Sequence, residues 1–282
     1  MGYSSSVVRR ARDRLSEEVR RKERLYREHR DIAYAQQPRL RELDRAIKGT
    51  AAQAVAAAIS HGEDPVAAIQ RLKEKNLELQ RQRQWIIDCA EWEEDFLDDG
   101  PLCPKCSDNG FTLDGRMCDC LRERCCQVQL EDLAPLLNSG ASFDGFDLQF
   151  YDDLPYGPSP RQLMREALRA ARSYAETFGS HGDHLLFAGA TGLGKTYLAG
   201  CIARRVTERG FGVTYGVSPQ VLAHFEEVKF GRAEPEELEK YLGVDLLILD
   251  DLGTESATAQ NVSFLFQLLN TRLTERKCTL VT

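Results

Sequence analysis

An α/β fold built on a parallel sheet, with an α-helical region and a small zinc knuckle ahead of it, is predicted by three observations. The first is a phosphate-loop pattern set between an apolar strand and a helix. The second is a buried strand that delivers two adjacent carboxylates 55 positions after the loop lysine. The third is a C-x₂-C pair followed by a C-x-C pair in a turn-rich stretch.

The phosphate loop comes first in the argument because it is the most specific. Residues 189–196 read Gly189-Ala190-Thr191-Gly192-Leu193-Gly194-Lys195-Thr196, a full match to G-x-x-x-x-G-K-[ST]. Glycines let the backbone wrap round a polyphosphate and aim successive amides at it. Lys195 is placed to reach the β- and γ-phosphates, and the Thr196 hydroxyl to hold Mg²⁺. The motif carries weight only in context, and the context is present. Residues 184–188 read as a short apolar strand, and residues 197–203 open a helix whose N-terminal end favours an anion. The alternative is a Gly-rich turn that merely fits; the expectation is a nucleoside triphosphate.

The carboxylates follow. After the loop helix (197–209), Gly210 turns the chain and 211–217 reads as a second strand. Ser218-Pro219 opens a helix over 220–230, and another covers 235–241. The apolar run 246–249 then ends in Asp250-Asp251. Ligands of parallel sheets sit beyond the carboxyl ends of the strands. Asp250 is expected to bind Mg²⁺ directly or through water, and Asp251 to act as base or water-positioning group for attack on the γ-phosphate. A simple turn at 250–253 is the bland alternative. Asp250-x-x-Gly253 also fits the D-x-x-G turn of GTPases, but those place a strand just before it, where 234–241 reads as helical. No N-K-x-D motif is present. ATP is the expected nucleotide.

Composition sets the bounds. The chain of 282 residues is 42% hydrophobic and 29% charged, the profile of an ordinary soluble protein with one or two domains. No apolar run is long enough to span a bilayer and no signal-peptide core is seen, so a cytoplasmic location is the default expectation. The net charge of −7 hides an asymmetry: residues 1–48 carry 14 Lys+Arg against 8 Asp+Glu, whereas 144–153 and 234–239 are acidic. Charge therefore neither supports nor excludes nucleic-acid binding.

Residues 7–48 read as a long amphipathic helix striped by Val8, Ala11, Leu15, Val19, Tyr26, His29 and Ala33, interrupted at Pro38 and resumed by Leu40, Leu43 and Ile47. Gly49-Thr50 and residues 61–64 punctuate an Ala-rich helix at 51–60. Asp64-Pro65 is expected to cap a third helix bearing Ile69, Leu72, Leu79 and Ile86 and running to about Ala90. The result is a helical hairpin or coiled-coil-like module whose stripe is either internal packing or a partner surface.

Asp98-Asp99-Gly100-Pro101 marks a boundary. Cys103, Cys106, Cys118 and Cys120 then flank a turn-rich segment with the spacing of a structural Zn²⁺ site. Nine cysteines in a cytosolic chain are not expected to form a disulfide framework. Four unrelated buried thiols are the alternative to zinc, and a ligand set using Cys125 or Cys126 stays open. Cys89, Cys201 and Cys278 read as small core residues. Residues 133–160 form an irregular linker expected to dock through Phe143, Phe146, Phe150 and Tyr151, with Pro155, Pro158 and Pro160 behind them. A helix over 161–178 should face inward with Leu163, Ala167, Ala170, Ala171 and Tyr174. The expected organisation is a helical region at 1–97, a knuckle at 98–135, a linker at 136–160 and an ATPase domain at 161–282.

With these motifs in order, the chain resembles the DnaC/DnaI-type helicase loaders of bacteria and phage, in the IstB-like family of AAA+ ATPases. The resemblance rests on Cys103-Pro-Lys-Cys106-Ser-Asp-Asn-Gly-Phe111, on Gly115-Arg-Met-Cys118-Asp-Cys120-Leu121, on the loop at 189–196 and on Leu246-Leu-Ile-Leu-Asp250-Asp251-Leu-Gly253. It covers roughly residues 100–282, and only loosely the first hundred. It implies a P-loop AAA+ three-layer parallel-sheet domain with ATP and Mg²⁺. It implies too that the N-terminal region and knuckle grip a hexameric replicative helicase, while the ATPase domain binds single-stranded DNA, self-associates and helps place the ring during replication. The helix at 218–230 looks like the family's DNA-contacting helix, with Lys229 and Arg232 as its nearby cations. Tyr215 and Phe230 could stack bases or pack in the core. The family's sensor residue, arginine finger and fifth strand would follow Thr282, so the domain reads as incomplete at its C-terminus. Weak nucleotide binding and poor hydrolysis are expected of this 282-residue form. A transposition helper ATPase of the IstB type, and an interaction module with a non-hydrolysing nucleotide site, are the other readings.

Overall fold

Proline chemistry divides the N-terminal helices. The computed structural model describes residues 2–59, 65–137, 140–154, 159–180 and 182–282. These form two compact units: Ser16–Asp108, and the residues up to Leu15 together with Asn109–Thr282.

Three helices build the first unit: α1 (Ser5–Gln36), of which the part from Ser16 belongs here, α2 (Pro38–Ile59) and α3 (Pro65–Cys89). Pro38 starts α2, where a missing amide proton costs nothing, and so α1 ends just before it. Ala33, Leu40 and Leu43 are buried here. Asp44 accepts hydrogen bonds from Arg83 Nε at 2.7 Å and Tyr34 Oη at 2.8 Å. The break expected at Gly49-Thr50 is absent, and α2 runs straight through it. The Thr50 hydroxyl donates to the Ile47 carbonyl at 2.7 Å and accepts from Asn76 Nδ2 on α3, so helix and packing both hold at that point. The α3 stripe is shallower than its spacing suggests, with Leu72, Leu79 and Ile86 half-buried and Ile69 exposed. Cys89, expected in the core, is exposed on the last turn of α3. Beyond it His29 stacks on Phe96 with centroids 4.1 Å apart, and Trp92 covers Phe96 at 5.4 Å. Residues 61–64, and with them the cap expected on Asp64, lie outside the described residues, as do Pro155 and Pro158.

The second unit runs α4 (Asp119–Asp132), α5 (Ala134–Leu137), α6 (Pro160–Thr177), β1 (Leu185–Leu186), α7 (Lys195–Glu208), β2 (Val213–Val217), α8 (Ser218–Lys229), α9 (Glu239–Leu242), β3 (Leu246–Asp250), α10 (Ala259–Thr274) and β4 (Cys278–Val281). A 3₁₀ turn at Pro235–Leu238 precedes α9, so the segment before β3 is helical and not a strand. All four strands are parallel, in the order β1-β4-β3-β2. Parallel neighbours need helical crossovers, which cover both faces. That is why β3 is buried along its whole length and apolar up to its last residue, Asp250. Its residues alternate between two cores: Leu246 and Ile248 pack with α6 and α7, Leu247 and Leu249 with α8, α9 and α10.

Helix α6 turns Ala167, Ala171 and Tyr174 to the core as expected, joined by Met164, Leu168, Ala175 and Phe178, whereas Leu163 and Ala170 are exposed. The linker docks in part: Phe143 and Phe146 pack on the core, whereas Phe150 is exposed.

Two buried polar side chains tie elements together. Gln129 of α4 donates to Thr207 Oγ1 and the Phe211 carbonyl at 2.9 Å and accepts from Val213 N at 2.9 Å, fastening the knuckle helix to α7 and β2. Arg272 of α10 is fully buried. Its guanidinium donates to Thr279 Oγ1 and to the carbonyls of Tyr241, Leu242, Val244 and Cys278. Burial lowers its pKa to about 10, still charged at neutral pH. Arg272→Met should therefore destabilise the fold by about 3 kcal/mol, since it strands several buried carbonyls without donors. Urea unfolding of the variant measures this, and a change within about 0.5 kcal/mol would mean that those carbonyls find other partners.

Candidate nucleotide site and cysteine cluster

Strand β1 ends at Leu186, and Phe187 extends its ladder by donating to the Val281 carbonyl at 2.9 Å. The chain then enters the phosphate loop. Gly192 and Gly194 take positive φ of 80° and 83°, a region that L side chains resist, and α7 starts at Lys195. A Cβ at Gly194 would stand 2.9 Å from Tyr151 Oη and would push that side chain aside. Gly189, Ala190, Thr191, Gly192 and Leu193 are exposed. Lys195 Nζ donates to the carbonyls of Gly189 and Ala190, both at 3.1 Å, which holds the ammonium across the loop mouth.

Asp250 lies at the end of β3 and is 2% exposed. A buried carboxylate needs hydrogen-bond donors, and three hydroxyls supply them. Thr196 Oγ1 donates to Oδ1 at 3.1 Å, Tyr215 Oη donates to Oδ2 at 3.1 Å, and Thr282 Oγ1 donates to Oδ1. Burial, followed by the charge of Asp250 and this bond, pushes the Tyr215 hydroxyl up to about 12, so it remains a donor at neutral pH. Asp251 is exposed on the loop beyond, at a left-handed φ of 55°, and its amide donates to Thr282 Oγ1 at 3.3 Å. Lys195, Thr196 and Asp250 thus converge on one mouth with Asp251 at its rim. Thr196 and Asp250 are the hard oxygen donors a Mg²⁺ ion takes, directly or through water.

Three residues of this neighbourhood were not expected from the sequence. Tyr215 packs its ring at the edge of the core and turns its hydroxyl to the carboxylate. Thr282 sits one residue past β4. Glu255 receives Ser218 Oγ and Gly253 N, both at 2.9 Å. Burial opposes its ionisation, but hydrogen bonds from its own amide, from Gly253, from Ser218 and from Thr254 outweigh it and hold the carboxyl below its usual range. Their one sequence signal is position, within a residue or two of the carboxyl ends of β2 and β4 or just after β3.

Beside the loop, a cavity of about 390 Å³ is lined by Phe146, Phe150, Tyr151, Leu193 and Tyr197. Tyr151 Oη fastens it by donating to the Leu193 carbonyl at 3.1 Å. An aromatic cavity against a phosphate loop suits a planar base. Phe230, by contrast with the core role considered for it, is 55% exposed, with Lys229 Nζ 5.9 Å and Arg232 Cζ 5.8 Å from its ring centre.

The Sγ atoms of Cys103, Cys106, Cys118 and Cys120 all lie within 4.8 Å of one another. Tetrahedral Zn–S bonds of about 2.3 Å put sulfurs roughly 3.8 Å apart, so the cluster fits zinc. The turn between the pairs closes through Cys118 N donating to the Gly110 carbonyl at 2.9 Å, with an isolated bridge between Phe111 and Met117. Cys125 packs instead with Val7, Ala11, Leu121 and Val128, and burial, with Cys126 beside it, raises its thiol to about 11. Cys201 and Cys278 are buried as expected.

Comparison with known proteins agrees with these motifs. Residues 143–282 match the family described as IstB-like ATP binding protein. A protein named replicative helicase loader DnaC from Escherichia coli is 26% identical over 115 residues, 40% of this chain and 47% of that one. Its namesake from Buchnera aphidicola subsp. Schizaphis graminum is 25% identical over 119 residues, 41% and 48% of the two. The chain spans about half the length of the curated relatives it matches. Among solved structures, a DnaC helicase loader overlaps 51% of this chain and 76% of its own at 21% identity and a TM-score of 0.44. A DnaI structure overlaps 52% and 71% at 27% identity and a TM-score of 0.40. With its phosphate loop, its Asp250 and its parallel sheet in place, the segment 143–282 belongs to the IstB-like ATP-binding family.

Proposed function

We propose that this chain binds ATP with Mg²⁺ between the phosphate loop and Asp250 and acts as a helicase loader in DNA replication. The observation that carries the nucleotide part is the junction of Thr196 with Asp250 at 3.1 Å, with Lys195 held at the same mouth. Lys195 binds the β- and γ-phosphates, the amides of 189–194 cradle them, and the aromatic cavity takes the base. Mg²⁺, when bound, supplies charge neutralisation for the phosphates. Asp251, exposed at the rim, is the group we assign to orienting water at the γ-phosphate.

The loading role is supported by the curated relatives, which are named as replicative helicase loaders. In this reading the helices of 16–108 and the zinc-bearing knuckle grip a hexameric replicative helicase, and the ATPase unit self-associates and contacts single-stranded DNA. Phe230, exposed between Lys229 and Arg232, offers a stacking face with two cations beside it, the combination that single strands favour.

Lys195→Ala should weaken ATP binding about 10- to 100-fold, the worth of a hydrogen bond to a charged group, as read by titration with a fluorescent ATP analogue. Unchanged affinity would remove the phosphate loop from the reading. The purified chain should carry one zinc per molecule by metal analysis, and Cys106→Ser with Cys118→Ser should abolish it and lower the melting temperature; a metal-free wild type would sink the zinc assignment. The full chain should capture its host's replicative helicase, and should lose that capture when zinc is chelated. A folded, zinc-loaded chain that captures no helicase would turn the reading towards the transposition helper.

A further inference from the structure

We infer that Tyr215 is a positioning residue for the magnesium carboxylate: its hydroxyl fixes the rotation of Asp250 so that one carboxylate oxygen faces Thr196. This rests on the nucleotide reading above and deepens it.

The geometry is specific. In the parallel register Val217 pairs with Asp250 and Tyr215 with Ile248, so Tyr215 lies two residues before the position level with the carboxylate. Its side chain reaches along the sheet and donates to Oδ2 at 3.1 Å, while Thr196 Oγ1 donates to Oδ1 at 3.1 Å. The two oxygens are thereby given different duties. The terminal torsion of an aspartate is broad and roughly two-fold, so without a partner on Oδ2 the carboxylate plane can turn. Thr282 also bonds Oδ1 and so does not replace the restraint on Oδ2. Asp250 is 2% exposed, which leaves little water to take the place of a lost donor. Tyr215 itself is only half-buried, and its ring is packed at the edge of the core shared by β3 and α7. A role in filling space would be met by the ring alone; the inference concerns the hydroxyl.

Outer partners of metal-binding carboxylates typically change metal affinity 10- to 100-fold when removed. Binding of a fluorescent ATP analogue to the full chain, titrated with MgCl₂, tests this. Tyr215→Phe keeps the ring and deletes one hydroxyl. It should raise the Mg²⁺ concentration at half-effect about tenfold, and leave nucleotide affinity without Mg²⁺ within about twofold of wild type. A structural role alone would instead weaken both, and a stacking role would leave Tyr215→Phe like wild type. An unchanged Mg²⁺ midpoint overturns the inference while the nucleotide site stands. A wild-type chain that binds no nucleotide overturns the nucleotide reading and this one with it. Thermal melting checks the variant; if Tyr215→Phe does not fold, Tyr215→Met, which removes the ring with the hydroxyl, is read by its Mg²⁺ midpoint relative to its own Mg²⁺-free nucleotide affinity, and an unchanged midpoint again overturns the inference.

Discussion

Everything at the site depends on one constraint: an acidic side chain stands buried at the end of a strand that has no polar surface of its own. β3 is covered on both faces, so Asp250 can be there only if hydroxyls replace the water it gives up. They come from three directions, from the helix after the phosphate loop, from β2 and from the residue after β4. The carboxylate is therefore the point at which three separate strand ends and the loop are brought into register. That register is also what places Lys195 and Thr196 on the same mouth as Asp251.

The same rule governs the rest of the second unit. Arg272 is buried, and its guanidinium is satisfied by Thr279 Oγ1 and by backbone carbonyls from the end of α9, the α9–β3 connection and the start of β4. Gln129 does the corresponding work between α4, α7 and β2. Both use planar polar groups with several donors or acceptors to finish off chain segments that leave regular structure, where backbone groups would otherwise be stranded. Buried polar groups here act as fasteners at the ends of elements, while the apolar residues fill the two cores between them.

The four-cysteine cluster solves a different problem. Residues 103–120 have few large apolar side chains and several turns, so a packed core cannot hold them. Sulfurs gathered within 4.8 Å offer a metal in place of a core, and structural zinc can contribute on the order of 10 kcal/mol to such a fold. Helix α4, which starts inside the knuckle, packs Leu121, Cys125 and Val128 against Val7 and Ala11 at the start of α1, while its Gln129 fastens it to α7 and β2.

Much of this was legible in the chain because the responsible patterns are local. A phosphate loop is eight consecutive residues, with glycine at the positions whose backbone angles favour it; an apolar run ending in Asp250-Asp251 carries its own address at a strand end; C-x₂-C and C-x-C need only short turns to converge. Pro38 alone suffices to break a helix. What depends on partners far along the sequence was out of reach. Whether Gly49-Thr50 breaks α2 is decided by Asn76 on another helix, and whether α6 turns Leu163 or Met164 inward by the core it meets. Tyr215 had two local readings, core and stacking; its ring packs on the core, and what neither reading could show is that its hydroxyl is claimed by an atom 35 positions away. The sequence by itself determined the phosphate loop, the carboxylate strand and the gathering of four cysteines, since each is written in a short window. Only the tertiary structure decided which hydroxyls hold Asp250, because strand register, and not sequence spacing, brings residues 196, 215 and 282 to one carboxylate.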